Sequence, residues 1–247
     1  MVDVPVRPEH APQWLNPLVG GLNSADAAAF ARREVARKKL AHRTPGPSAP
    51  GFGAPAEAAV LMLLTGAKAA VERPAGAGVL ITHRTPTLRS HSGQMAFPGG
   101  HIDPTDAGPV DAALREAWEE TGLDRQRVTP LASLEPVIAG GSGRLVAPVL
   151  AFSADPGQPH VASPAETDDV FIAPLDELIA PENRLQVGMQ GWSGPAFRVN
   201  GYLVWGFTGV LLDVICELAG WTVPWRHDKV IPLADALATS RNAERHR

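Results

Sequence analysis

Apolar residues run unbroken over positions 58–64, a length that suits one buried strand. A loop with Gly, Lys, Glu and Pro follows over 65–77, and a second strand is predicted at 79–83. Shorter apolar stretches predict strands at 94–97, within 128–138, at 144–152 and at 168–172. The period then changes. Val110, Leu114, Ala117, Trp118 and Thr121 fall on one side of a wheel that turns about 100° per residue. Pro109 suits the first turn of that helix, and Gly122 suits the left-handed residue that closes it. Residues 205–218 predict a second amphipathic helix, and 174–179 a short one. Mixed strands with two main helices predict an α/β sandwich.

Upstream of residue 56 the pattern differs. Trp14, Leu15, Leu18 and Leu22 form a candidate apolar patch. Asn23 and Ser24 cap a predicted helix over 25–40 that ends in Arg32, Arg33, Arg37, Lys38 and Lys39, cations suited to a last turn. That basic end is either a solvated face or a contact for phosphates or a partner subunit. Residues 44–55, with several Pro, Gly and Ala, read as a linker, and 139–143 as a turn. The expected division is an N-terminal helical extension and linker over 1–55, a main domain over 56–235, and a tail over 236–247; the residues after Arg226 read as a short appended helix and a frayed end.

The candidate chemistry lies on the first helix, opposite its apolar side. Glu116, Glu119 and Glu120 stand at i, i+3 and i+4, so three carboxylates share a face. Like charges so close repel unless a cation sits between them, and Mg²⁺ or Mn²⁺ suits an all-oxygen site. The plain alternative is a solvated acidic face. Arg115, beside Glu119, can steady a carboxylate by a charge-assisted hydrogen bond. Upstream, Gly99 and Gly100 allow backbone to approach a metal or phosphate closely, or simply make a turn.

Composition narrows the partners. A net charge of −4 gives no basic surface that argues for nucleic acid. The single cysteine, Cys216, excludes an internal disulfide and a cysteine zinc cage, and reads as a core thiol. No apolar run is long enough for a membrane span, and no basic-plus-apolar leader is visible, so cytoplasmic residence without a membrane partner is expected. A homodimer is the default assembly.

Gly100, Arg115-Glu116, Glu119-Glu120 and Gly122-Leu123 together resemble the Nudix box, G-x5-E-x7-R-E-U-x-E-E-x-G-U with U a bulky aliphatic residue. The fit has one residue too many: fourteen separate Gly100 from Arg115, and the first box glutamate falls on Asp106 or Ala107. Ala117 is small for its U position. Either Asp106 or Asp103 is then the candidate brace for Arg115. The stretch 80–100, with Thr82, Arg84, Arg89, Gly93, Phe97, Pro98 and both glycines in register, resembles the extra motif of coenzyme A pyrophosphatases. Stretches 166–175 and 202–209 resemble later landmarks of that subfamily.

The resemblance implies a Nudix fold, a mixed β-sheet sandwiched between helices. It implies metal ligation by the Gly99 carbonyl and by Glu116, Glu119 and Glu120, with Glu120 nearest to water activation and Glu119 and Arg115 in the catalytic set. Glu166 is either a general base recruited from outside the box or a surface acid. Arg84 and Arg89 either receive substrate phosphates or lie exposed at a strand edge, and Phe97 and Gly100 join them as substrate contacts. The implied reaction cleaves coenzyme A or acyl-CoA, a small-molecule nucleotide substrate, to adenosine 3′,5′-bisphosphate and (acyl-)4′-phosphopantetheine. The alternatives are another substrate such as ADP-ribose, a dinucleotide or an oxidised nucleoside triphosphate, or a noncatalytic nucleotide-binding module.

Overall fold

A computed structural model describes residues 2–23, 55–139 and 143–244. The expected basic helix at 25–40 and nearly all of the linker and the turn at 139–143 lie outside the described residues. Among the described residues the main sheet has eight strands: β1 (Ala58–Thr65), β2 (Gly78–Arg84), β3 (Met95–Ala96), β4 (Gly99–His101), β5 (Thr129–Ser133), β6 (Val137–Ala139), β7 (Arg144–Ser153) and β8 (Thr167–Pro174). Its central path runs β3-β2-β1-β7-β5, with β4 paired to β1, β6 to β7 and β8 to β2. β1 and β7 are parallel and the other pairs antiparallel, so the sheet is mixed.

The apolar run in β1 is explained by burial on both faces. Ala59, Leu61 and Leu63 point to helix α2 (Pro109–Thr121), packing with Val110, Ala113, Leu114 and Ala117. Met62 and Leu64 point the other way, into a second cluster with Leu211, Val214 and Ile215 of helix α4 (Gly206–Leu218), which follows the short helix α3 (Leu175–Ile179). This is a mixed sheet between helices, the α/β sandwich that the pattern predicts and the arrangement that the Nudix resemblance implies.

Three expectations are corrected. Helix α4 is not amphipathic: every residue from Thr208 to Cys216 is buried. A helix apolar all round needs cover on all sides, and a second sheet supplies it. That sheet, β11-β10-β9-β12, comprises β9 (Arg184–Met189), β10 (Trp192–Val199), β11 (Tyr202–Val204) and β12 (Val230–Pro232). None of these strands was predicted. The turns between β9, β10 and β11 place Gln190-Gly191 and Asn200-Gly201 at positive φ, the two-residue hairpin geometry that Asn-Gly favours.

The N-terminal patch is not a separate feature either. Trp14 and Leu15, with Leu18 and Leu22 of α1 (Asn16–Asn23), join the same core cluster as β1 and α4. Nor is the described part of the tail frayed. Beyond α5 (Leu233–Ala238), Asn242 is fully buried; its side chain accepts from the Leu203 amide and donates to the Leu203 carbonyl. Among the described residues no helix is long and apolar enough to cross a membrane. Cys216 is a buried thiol, pushed up to about 12 by desolvation, as expected for a core residue.

Candidate active site

Gly108 stands at the N-cap of helix α2 and has no side chain to cap it. The cap comes from elsewhere: the Asp3 carboxylate accepts the amides of Val110 and Asp111, both at 3.0 Å. A β-carbon on Gly108 would lie 2.5 Å from that carboxyl. The helix closes on Gly122, in the left-handed conformation at φ 64°, donating to the Trp118 carbonyl.

Around α2 the burial differs from the wheel. Trp118 and Glu120 flank the apolar stripe by about 80° on either side. The structure exposes Trp118 at 57% and buries Glu120 at 3%, so Trp118 leaves the predicted stripe. The β4 strand covers the Glu120 side, where the Gly99 amide donates to the Glu120 carboxylate at 3.2 Å.

The position of β4 between β1 and the helix requires both glycines, Gly99 on the β1 side and Gly100 on the helix side. A β-carbon at Gly99 would meet the Ala59 carbonyl at 2.3 Å, and one at Gly100 would meet the Glu116 carboxylate at 2.5 Å. Glu116 and Glu120 therefore bracket the Gly99-Gly100 segment.

Arg115 is braced as the box requires, but by Asp106. The guanidinium grips that carboxylate with Nε and Nη2, both at 2.9 Å, and gives Nη2 also to the His101 carbonyl. Asp103 stands off at 3.8 Å. Nη1 reaches Glu116 at 3.1 Å and Glu119 at 3.0 Å. The Arg115 hydrogen bonds hold the Asp106 carboxyl below the usual range.

Two of the acids are held above the usual carboxylate range. Burial pushes Glu120 up to about 8, against the opposing pull of Arg84 and the Gly99 amide, and Glu116 and Glu166 add repulsion. Burial also raises Glu116, with Arg115 opposing and Glu119 and Glu166 adding to the rise. Thus Arg84, Glu116, Glu120 and Glu166 share one electrostatic neighbourhood, and Glu166 reaches it from a loop whose carbonyl accepts the Thr85 amide. The Nε of Arg84 is buried without a hydrogen-bond partner.

Other predicted residues stand apart. Glu119 is about half exposed and tied to Arg115. Arg89 and His91 are exposed in the loop after β2. Phe97, expected at the substrate, is 3% exposed and packs in the core cluster that contains Met95 and Leu211.

Among the described residues no three acids or imidazoles are already gathered as a closed ligand set. The donors do fit a hard divalent cation: Glu116 and Glu120 offer only oxygen, are withdrawn from water, and repel one another. Sequence reasoning missed Asp3, which no local pattern links to α2. It also passed over His83, which lies inside the 80–100 motif, and its partner Asp168.

The NUDIX domain family model matches residues 58–190. An uncharacterized Nudix hydrolase, NudL, of Photorhabdus laumondii is 36% identical over 143 residues, covering 56% of this chain and 75% of the relative. NudL of Escherichia coli K12, also an uncharacterized Nudix hydrolase, is 35% identical over 192 residues, covering 76% and 87%. Among solved structures, a Nudix hydrolase from M. smegmatis, RenU, is 26% identical, with a TM-score of 0.37 over 49% of this chain and 72% of that one.

Proposed function

The chain belongs to the Nudix family of pyrophosphohydrolases, and on that premise we propose that it cleaves the diphosphate of coenzyme A or acyl-CoA with Mg²⁺ or Mn²⁺. The products are adenosine 3′,5′-bisphosphate and (acyl-)4′-phosphopantetheine. The choice among nucleotide derivatives is supported by the 80–100 motif. One observation carries the reading of the site: Arg84, its Nε buried and unpaired, stands beside Glu120 with Glu116 and Glu166 around it. A cation among acids, with a donor to spare, suits a phosphate oxygen. The departure from the box at Ala107 does not idle the site, because Asp106 braces Arg115 in place of the usual glutamate.

Each residue then has a task. Glu116, Glu119 and Glu120, with the Gly99 carbonyl, would hold the cation. When bound, that ion neutralises phosphate charge and makes water more acidic. Arg84 orients the diphosphate, with Arg89 available from the loop. Glu166 takes the proton from the attacking water. Arg115 holds the box loop and the acidic face in fixed relation.

The test is product analysis after incubation with CoA and divalent metal. The expected result is both named products, with kcat lowered about 10²- to 10⁴-fold by Glu120→Gln. No cleavage of CoA, or cleavage untouched by Glu120→Gln, overturns the reading. A higher kcat/KM for ADP-ribose, a dinucleotide or an oxidised triphosphate moves the enzyme to another substrate. Nucleotide binding without turnover at any metal concentration makes it a noncatalytic module.

A further inference from the structure

Strands β2 and β8 pair in step from Gly78↔Pro174 to His83↔Asp169, and then the register slips so that Arg84 meets Thr167. Asp168 is the extra residue, a β-bulge at the edge of the site. Such a slip moves every side chain beyond it to the other face. Glu166 lies just beyond, held by its carbonyl to the Thr85 amide at 2.9 Å. The bulge therefore decides which way Glu166 looks.

The bulge is pinned by a buried histidine. Asp168 Oδ1 lies 2.5 Å from His83 Nδ1, with one proton between them whichever group carries it. On its other side the ring donates Nε2–H to the Gly93 carbonyl at 3.1 Å and the Asn242 carbonyl at 3.0 Å. Tyr202 lies against the ring, centroids 4.7 Å apart, and its hydroxyl donates to Asp169 at 2.9 Å. Both residues flanking the slip are thus tied to the same place. An apolar side chain would fill the hole but leave the Gly93 and Asn242 carbonyls without their donor and release Asp168 to water.

We propose that His83 and Asp168 are positioning residues, whose pairing locks the β8 bulge and so turns Glu166 toward Glu116 and Glu120. The catalytic consequence rests on the hydrolase reading above; the geometric one does not. Arg84 is anchored on the Gly93 side of the pin rather than on Asp168, by its amide to the Gln94 carbonyl and its carbonyl to the Gly93 amide. Loss of the pin should therefore reach the proton-accepting step more than phosphate binding.

The experiment compares Asp168→Ala, His83→Gln and Asp168→Asn, alone and combined with Glu166→Gln, by steady-state kinetics on CoA and by amide hydrogen exchange. Asp168→Ala and His83→Gln should lower kcat about tenfold or more while moving KM less than about threefold. In the Glu166→Gln background the same changes should cost less than about twofold, because the group they orient is gone. Asp168→Asn, whose amide can donate to Nδ1, should recover most of the activity. The Thr85 amide, bonded to Glu166, should exchange about tenfold faster in Asp168→Ala, with the β1 amides unchanged. Losses that multiply with Glu166→Gln, or an unchanged Thr85 amide, overturn the proposal. If the wild-type protein cleaves nothing, the hydrolase reading falls and the Thr85 exchange still decides this one. If Asp168→Ala does not fold, His83→Gln carries the same two readouts.

Discussion

At the scale of single residues, two carboxylates 14 positions apart have opposite pH signatures. Glu120 has its folded value raised from 4.5 to about 8, so the folded chain holds that proton more tightly than the unfolded one. The stability this contributes is complete below about 4.5 and is lost as pH rises toward 8. Through this group, metal-free protein should lose roughly 10 °C in Tm between pH 5 and pH 8. Glu120→Gln should flatten that slope, and Mg²⁺ should restore more stability at pH 8 than at pH 6. A slope unchanged in Glu120→Gln would sink this assignment. Asp106 behaves the other way. Its folded value is lowered, chiefly by hydrogen bonds from Arg115, so its contribution is present above its ordinary 3.8 and is lost as pH falls further. Asp106→Asn breaks a two-pronged grip on a guanidinium that is itself about one-fifth exposed. We expect a loss of about 2 kcal/mol by urea titration, less than a fully buried pair would show.

Among the elements, α2 was legible because three independent signals coincide: a 3.6-residue apolar period, Pro109 at its start and Gly122 at its end. The acidic face was legible for the same reason. Which edge of the stripe would be buried was not, since the wheel is nearly symmetric about it and only the placement of β4 breaks the tie. Strands β9 and β10 were missed because Gly188, Gly194 and Pro195 interrupt their alternation, and β11 because it is only three residues long; the one readable sign was Asn200-Gly201. The start of α2 belongs to the class that local pattern cannot reach. Its cap lies 107 residues away in sequence, where Asp3 receives two helical amides. Asp3→Ala should cost about 1 kcal/mol, within the usual range for a lost cap, and Asp3→Asn less. Equal urea midpoints for Asp3→Ala and the wild type would show that water replaces the cap without loss.

On the scale of the whole molecule, the boundary expected near residue 55 separates the chain less cleanly than composition suggested. Trp14 stacks edge-on with Phe152 of β7, ring centroids 6.2 Å apart, and lies 5.7 Å from Trp221 beyond α4. Leu15 and Leu18 are fully buried in the same cluster. The N-terminal segment thus closes the face of the main sheet that α2 does not cover, while Asp3, at its beginning, crosses to cap α2. One short segment touches both sides of the sandwich, so we propose that the folding unit extends through residues 2–23. Leu18→Ala leaves a hole in a core that includes β1 and α4 and should cost about 2–5 kcal/mol. The loss should appear as a shift of a single unfolding transition, followed alike by tryptophan fluorescence and by far-ultraviolet circular dichroism. A separate early transition in the wild type, with Leu18→Ala moving only that one, would instead make the segment an independently melting appendage. It would also leave α2 capped by a chain that detaches before the site does, and activity would then fail at the lower transition.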